Sequence, residues 1–300
     1  MRIIIYNPVT NLFDFFINVL FKELENKNIK TLLIDQINID NINYNFNFID
    51  DIIIIIINPH FIFDYSEISN NIKKISNSFK FKILYLTEPI NFIVEKKVYL
   101  DLIKIIKPYV LWTYTYENFN KINYPIKTFK IFPNYNEKYN FVNIDIEQLK
   151  NKNNNEIIFL GNINENRIQL CNQFNNYLIN YNNTWSQEEW THILNHNLFY
   201  LNIHRRINCK SFESFRIIPI LSNGGVIFSE HCNELEEQLF KEFNIIFTSK
   251  DKLYETFLNY IKNINYEDIY QKSILFRNKI IKDNLDDFLN FHNSIIKINP

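Results

Sequence analysis

Half of the chain's six arginines lie close together, at Arg205, Arg206 and Arg216, within twelve positions of one another. Two of its three glycines, Gly224 and Gly225, follow shortly afterwards. Guanidinium groups bind phosphate oxygens through paired hydrogen bonds, and glycine allows a backbone to approach a ligand closely. This segment therefore predicts a site for a small ligand that carries phosphate groups.

Neighbouring residues extend this candidate site. Lys210 adds a cation, and Ser211 is positioned to cap a helix on which Glu213 and Arg216 lie three residues apart on one face. Since a helix N-terminus attracts anions, the segment could hold a diphosphate. The structural alternatives are a solvated strand edge, a simple ion pair between Glu213 and Arg216, and a structural His204 whose hydrogen bonds are satisfied.

The glycine pair has two interpretations of its own. Asn223-Gly224-Gly225 is a suitable helix stop, although Pro219 would kink the helix that precedes it. A helix stop requires one glycine, so the second predicts a close approach of the backbone to a ligand.

Polar groups also follow three apolar, strand-like runs in the second half of the chain. In parallel α/β sheets, ligands bind at the carboxyl ends of the strands. The groups at these ends are Gly161 after "EIIFL", His204 with Arg205 and Arg206 after "LFYLNI", and Ser229 with Glu230 after "GGVIF".

The pattern along the chain predicts the elements that position these residues. Short β-rich runs alternate with helical stretches in both halves, which indicates parallel sheets built from βαβ units. We predict an α/β fold with two Rossmann-like domains facing a cleft, at 1–150 and 151–300, joined by a polar linker at 143–156. Predicted helices include 165–180, 211–221 and a last helix at 284–298.

Composition narrows the classes of function. The net charge of -1 gives no global attraction to nucleic acid or anionic membranes, which favours a small anionic ligand. Three cysteines without metal-type spacing indicate a reducing compartment. The isoleucine run at 52–57 is too short to span a bilayer, and the first residues do not read as a signal peptide. We therefore expect a soluble, cytoplasmic protein without a transmembrane segment.

Several segments carry a resemblance to a known family. The pattern "LNIH", "FESFRIIPILSNGGVIFSE" and "NELEE" resembles the donor-binding half of GT-B glycosyltransferases, in particular spore-maturation-type and viral family-1-like members. "IIFLGNINENR", with Gly161 and Arg167, is similar to the start of that half, and "LYLTEPINF" around Glu88 is similar to a first-half segment. One departure is Leu221, which stands where the retaining enzymes carry a second Glu, so the stereochemical outcome stays open.

The resemblance implies that a nucleotide-diphosphate sugar (UDP-, GDP- or dTDP-linked) binds in the C-terminal domain. A glycan, protein or small-molecule acceptor would bind mainly in the N-terminal domain. The resemblance also implies that the last helix, at about 284–298, crosses back to the N-terminal domain, although its apolar positions could equally be plain core. The departing diphosphate needs preorganised donors, which we predict to be the four basic side chains from 205 to 216 and the Gly224-Gly225 amides. Glu230 could accept from the ribose, while Glu213 could hold sugar hydroxyls or position Arg216.

No Asp-x-Asp motif stands near a strand end, so metal independence is the expectation, with no cofactor. If the reaction inverts, a base from the first domain must reach the acceptor hydroxyl. Glu88, His60 and Asp64 are candidates because each ends or follows a predicted first-domain strand. Their alternative interpretation is ordinary loop polarity.

Other functions remain open at this point. A nucleotide-sugar epimerase could share the same layout, and a degenerate chain could bind sugars or partners without catalysis. Nucleic-acid binding ranks last, because the lysines are spread through the chain and balanced by acids.

Overall fold

A computed structural model describes most of the chain. The described residues are 2–8, 14–34, 51–57, 70, 72–74, 77–88, 90, 93–115, 118, 124–131, 144–182, 186–206, 209–279 and 285–298. The chain divides into two compact units, one made of Met1–Phe132 with Lys282–Pro300 and the other of Pro133–Ile281. Within the described ranges, no helix is long and apolar enough to cross a membrane.

The first unit contains a six-stranded parallel sheet with the order β2-β1-β3-β4-β5-β6. Its strands are β1 (Arg2–Tyr6), β2 (Lys30–Ile34), β3 (Ile52–Ile57), β4 (Phe81–Leu86), β5 (Val110–Thr113) and β6 (Lys127–Lys130). In β3 the isoleucines from 52 to 56 are at most 1% exposed. A strand covered on both faces has no reason to alternate apolar and polar residues, so the isoleucine run correctly predicts an interior strand.

The second unit contains a five-stranded parallel sheet with the order β11-β10-β9-β7-β8. Its strands are β7 (Asn153–Leu160), β8 (Leu178–Tyr181), β9 (Asn197–Asn202), β10 (Val226–Glu230) and β11 (Ile245–Thr248). The chain leaves β7 for one side of the sheet and builds β9, β10 and β11 on the other. The carboxyl ends of β7 and β9 therefore border a topological switch point, which is where open α/β sheets bind ligands.

Helices cover these sheets. Those with defined bounds are α1 (Asp14–Asn26), α2 (Ile93–Ile106), α3 (Ile146–Asn151), α4 (Glu165–Gln173), α5 (Gln187–His196), α6 (Ser214–Ser222), α7 (Glu234–Phe240), α8 (Leu253–Ile261), α9 (Tyr266–Asn278) and α10 (Leu285–Ile298). Helix α10 belongs to the first unit, where the Phe288 ring lies 5.0 Å from Trp112 and 5.6 Å from Phe129 between centroids. The two parallel sheets confirm the predicted α/β class with two Rossmann-like units.

Two predicted segments differ from the structure. The predicted helix at 165–180 ends at Gln173, because the next residues turn and 178–181 pairs with β7 as strand β8. The predicted linker at 143–156 is ordered in its described part, 144–156: Asp145 caps α3 by accepting from the Gln148 amide at 2.7 Å, and Leu149 is fully buried. The compact units instead divide between Phe132 and Pro133.

Candidate functional site

Gly161 and Arg216 meet at the carboxyl end of β7. Gly161 has a φ of +148°, and a Cβ atom there would lie 2.9 Å from Nη1 of Arg216. The same Nη1 donates a hydrogen bond to the Leu160 carbonyl. A side chain at position 161 would require the guanidinium to move, and residues with a Cβ atom rarely adopt this φ, so the backbone conformation and the close approach of Arg216 both favour glycine.

Arg216 is also paired with Glu213 at the start of α6. Its Nη2 lies 3.0 Å from Oε2 of Glu213, and the two side chains are 17% and 21% exposed. Helix α6 begins at Ser214, with Glu213 as its N-cap residue and without a side-chain cap, so the predicted capping role of Ser211 is wrong. Burial acts to raise the pKa of Glu213, but the charges of Arg216 and Arg167 outweigh it and the pKa is lowered. Glu213 is thus held as a carboxylate.

Arg167 is buried and has a positioning role. Its Nε and Nη2 donate to the Ile203 carbonyl at 3.1 and 2.8 Å, and its Nη1 donates to the Asn162 carbonyl at 2.8 Å. The guanidinium lies 5.1 Å from the centroid of the Phe159 ring. Burial, followed by the nearby charge of Arg216, lowers the pKa of Arg167 to about 10. Arg167 therefore ties the loop after β9 to the loop after β7.

Two asparagines that the sequence does not single out fix the same loop. The Asn166 side chain donates to the His204 carbonyl at 3.1 Å, and Asn164 donates to the Arg205 carbonyl at 2.8 Å. Lys250 in turn donates to the backbone and side-chain oxygens of Asn166. Asparagine is so frequent in this chain that its type gave no signal at these positions.

The ends of β9 and β10 are joined by the predicted residues themselves. The His204 amide donates to Oε2 of Glu230 at 2.6 Å, and its Nε2 donates to the His231 carbonyl at 2.8 Å. The Ser229 hydroxyl accepts from the Asn202 side chain at 2.9 Å and donates to the Glu230 carbonyl at 2.8 Å. His204, Ser229 and Glu230 are buried, and these bonds hold two strand ends in register.

Gly224 and Gly225 lie at the amino end of β10, whereas Gly161 follows the carboxyl end of β7. Because the strands are parallel, the glycine pair and Gly161 lie at opposite ends of the sheet. The amides of the pair donate to the carbonyls of Leu221 at 3.3 Å and Ile220 at 2.9 Å. Gly224 has a left-handed φ of +76°, and a Cβ there would lie 2.6 Å from Leu149, while a Cβ on Gly225 would collide with Ile220. The helix-stop interpretation therefore accounts for the first glycine and packing for the second. We correct the prediction that their amides face a ligand.

Two buried basic side chains from other elements contact the C-terminal end of α6, and the sequence interpretation missed both. Nζ of Lys152 donates to the carbonyls of Asn223, at 2.7 Å, and Leu194, and Nε of Arg277 donates to the Ser222 carbonyl at 2.6 Å. Burial, with a smaller contribution from the charge of Arg277, lowers the pKa of Lys152 to about 7. These cations satisfy carbonyls that the end of a helix leaves without intrahelical partners.

The remaining predicted ligand contacts are nearer the surface. Arg205 and Lys210 are exposed and Arg206 is half-buried. The backbone of Lys210 is fixed because its carbonyl accepts from the Asn233 amide at 2.8 Å.

In the first unit, Glu88 follows β4 in a loop that is fixed by hydrogen bonds. Its amide donates to the Tyr99 hydroxyl at 2.9 Å, and its carbonyl accepts from the Asn118 side chain at 3.1 Å. Asn118 also accepts from the Ile90 amide at 2.8 Å. The other two base candidates, His60 and Asp64, lie outside the described residues.

The region at the carboxyl ends of β7 and β9, next to the topological switch point, has the electrostatics of an anion site. Arg167 interacts with the positive charges of Arg216 and Arg205 as well as with the negative charge of Glu213, so positive charge exceeds negative charge around its guanidinium. Helices α4 and α6 begin at this end of the sheet, and helix N-termini attract anions. Within the described part of the chain, the buried Asn164 Oδ1 and Ser214 Oγ atoms have no hydrogen-bond partner. The same part contains no group of three or more potential metal ligands; metal independence stays a prediction.

The two parallel sheets give the chain the GT-B fold. The chain is similar to crystal structures of Anabaena Alr3699/HepE. For the complex with UDP and glucose the TM-score is 0.60 at 8% identity, and for the complex with UDP it is 0.54 at 8% identity. Each comparison covers 99% of both chains. No protein-family model matches the chain, and no curated protein is detectably similar in sequence. At this identity the likeness is one of fold.

Proposed function

We propose that the protein is a glycosyltransferase that moves a sugar from a nucleotide-diphosphate sugar to an acceptor hydroxyl. The observation that carries this proposal is the positively charged group of side chains around Gly161, at the switch point of the second sheet. The fold likeness to HepE, which was crystallised with UDP and glucose, supports it.

In this proposal, the diphosphate lies against Arg216 and the more exposed side chains of Arg205, Arg206 and Lys210. Negative charge grows on the diphosphate as the bond to the sugar breaks, and preorganised cations stabilise it without further rearrangement. Arg216 is preorganised because Glu213 and the Leu160 carbonyl hold two of its nitrogens. Fixed cations would take the place of a metal ion.

The buried residues at the same end of the sheet would act by holding other side chains in place. Arg167, His204 and Ser229 fix the loops that carry the exposed cations. One carboxylate oxygen of Glu230 accepts from the His204 amide, so the proposed contact with a ribose hydroxyl falls to the other oxygen.

For the acceptor reaction we propose Glu88 as the base to test first, with His60 and Asp64 as the other candidates. The backbone of Glu88 is fixed by Tyr99 and Asn118, which would give its carboxylate a defined position. The three cysteines are free thiols, in keeping with the proposed cytoplasmic location.

The central test is calorimetric binding of UDP-, GDP- and dTDP-sugars to the wild type and to Arg216→Ala. We expect one nucleotide class to bind the wild type, and the variant to bind it at least about tenfold more weakly, because a charge-assisted hydrogen bond is lost. Arg2→Ala is the matched control, since Arg2 pairs with Asp51 in the first unit. Unchanged affinity in Arg216→Ala, or no binding by the wild type, would refute the assignment.

Product analysis separates transfer from epimerisation. With an acceptor panel, a transferase releases free nucleoside diphosphate, whereas an epimerase leaves the total of nucleotide sugar unchanged. A chain that binds the donor but catalyses neither reaction would be a binding module, and the proposed activity would be wrong.

A further inference from the structure

Helix α5 carries a pair of histidines. They belong to neither of the two groups of basic side chains described above at the ends of α6. His192 and His196 are exposed and four residues apart, so they stand on the same face of the helix one turn from each other. Their ring centroids are 4.3 Å apart, with an angle of 35° between the ring planes. Two imidazoles in this relation can direct nitrogen atoms toward one point.

The hydrogen bonding of His196 leaves a nitrogen lone pair available. Its Nδ1 lies 2.7 Å from the His192 carbonyl oxygen. A carbonyl can only accept, so Nδ1 carries the proton and, in the neutral ring, Nε2 carries the lone pair. Metal-binding histidines are typically oriented in this way, with the second ring nitrogen donating to a carbonyl or carboxylate.

The partner ring is also available. Among the described residues, no hydrogen bond occupies the ring nitrogens of His192, whose ring contact is with His196. Metal–nitrogen bonds of about 2.0–2.1 Å place two ligating nitrogens about 3 Å apart. The ring centroids lie 4.3 Å apart, which is close enough for a single ion to bond to one nitrogen of each ring.

We propose that His192 and His196 together bind one divalent transition-metal ion of the class that prefers imidazole, namely Cu²⁺, Ni²⁺ or Zn²⁺. The protein supplies two ligands, and water fills the other positions. This site is separate from the proposed nucleotide-sugar site and does not depend on it.

Metal binding would stabilise a turn of α5 whose carbonyls accept hydrogen bonds from other parts of the second unit. Between the two histidines, the Ile193 carbonyl accepts from the Tyr200 hydroxyl at 3.1 Å and the Leu194 carbonyl accepts from Lys152. Because an ion bound only by the folded state shifts the unfolding equilibrium, the midpoint of thermal unfolding should rise with metal concentration.

The test is calorimetric titration of untagged protein with NiCl₂, in a buffer that does not chelate metal. We expect the wild type to bind one Ni²⁺ at this site, and His192→Ala and His196→Ala to bind it at least about tenfold more weakly, since each removes one of two ligands. The Ni²⁺-dependent rise in unfolding temperature should disappear in both variants. His231→Ala is the matched control, because His231 is exposed and contacts Glu237 on another helix.

His192→Gln provides a second variant, with a polar side chain and without the imidazole, and should lose Ni²⁺ affinity to a similar extent. Circular dichroism checks that each variant is folded. Wild-type affinity in the His192 variants, or an equal loss in His231→Ala, would place the metal elsewhere and overturn the proposal. Absence of Ni²⁺ binding by the wild type would also overturn it.

Discussion

The two ends of helix α6 both hold basic side chains, but they hold them in different ways. At the N-terminal end, Arg216 is partly exposed and shares its charge with the carboxylate of Glu213. At the C-terminal end, Lys152 and Arg277 are buried and donate to backbone carbonyls. A partly exposed cation can add a phosphate oxygen to its partners, whereas a buried cation bound to carbonyls holds the fold. The setting of a basic residue therefore decides between a ligand role and a structural role.

The strongest test of this contrast is Lys152→Met. Two buried carbonyls would lose their donor, and we expect the free energy of unfolding to fall by about 3 kcal/mol. Chemical denaturation measures the change. The control is Lys150→Met, two residues away, where the side chain is exposed and pairs with Glu147; its effect should be much smaller than that of Lys152→Met, because exposed ion pairs contribute little to stability. Equal effects would contradict the structural role of Lys152.

Gly224→Ala tests the same end of the helix. The left-handed backbone and the contact with Leu149 predict a loss of about 2 kcal/mol in unfolding free energy. Because this glycine is remote from Arg216 along α6, donor affinity of the folded variant should not change. A loss of donor binding without a loss of stability would restore the ligand role first predicted for the glycine pair.

Gly161→Ala should lower donor affinity as well as stability, since the backbone at φ +148° is strained for any residue with a Cβ atom. The new methyl group would push the Arg216 guanidinium from its position, so donor affinity should fall about tenfold, equivalent to about 1.4 kcal/mol. Titration with the proposed nucleotide-sugar donor measures the loss. Serine at the same position should act similarly, since it also carries a Cβ; donor binding at the wild-type level in both variants would show that Arg216 can move freely.

The pH dependence of the free energy of unfolding should distinguish the buried Lys152 from the exposed basic side chains. Its pKa is lowered to about 7 in the folded state from an ordinary value of 10.5, so between these pH values the unfolded chain binds more protons. The free energy of unfolding contributed by this group should therefore rise from pH 7 to 9, by about 1 kcal/mol per pH unit. The measured quantity is the difference between wild type and Lys152→Met, because other groups also titrate; a flat difference would contradict the lowered pKa.

The sequence predicted most strands because their signals are local. The isoleucine run of β3 and the apolar runs of β7, β9 and β10 were long enough to identify buried parallel strands. Helix 165–180 was predicted too long, since its last residues also fit a strand and only pairing with β7 decides between the two.

The site was predictable in part. The strand-end rule located Gly161 and Glu230, but the contact between Gly161 and Arg216 joins residues 55 positions apart in the chain. The glycine pair was misassigned because a ligand and the Leu149 side chain both require the same small residue. Lys152 was missed because a buried lysine has no local signature in a segment rich in asparagine and lysine.

The placement of α10 in the first unit has a consequence for biosynthesis. A ribosome completes residues 133–281, the whole of the second unit, before it makes α10. Until α10 emerges, the rings of Trp112 and Phe129 lack Phe288, which covers them in the finished protein. The first unit therefore stays incomplete until after the second unit has been synthesised, and in that interval its uncovered aromatic rings form a surface that a chaperone could bind.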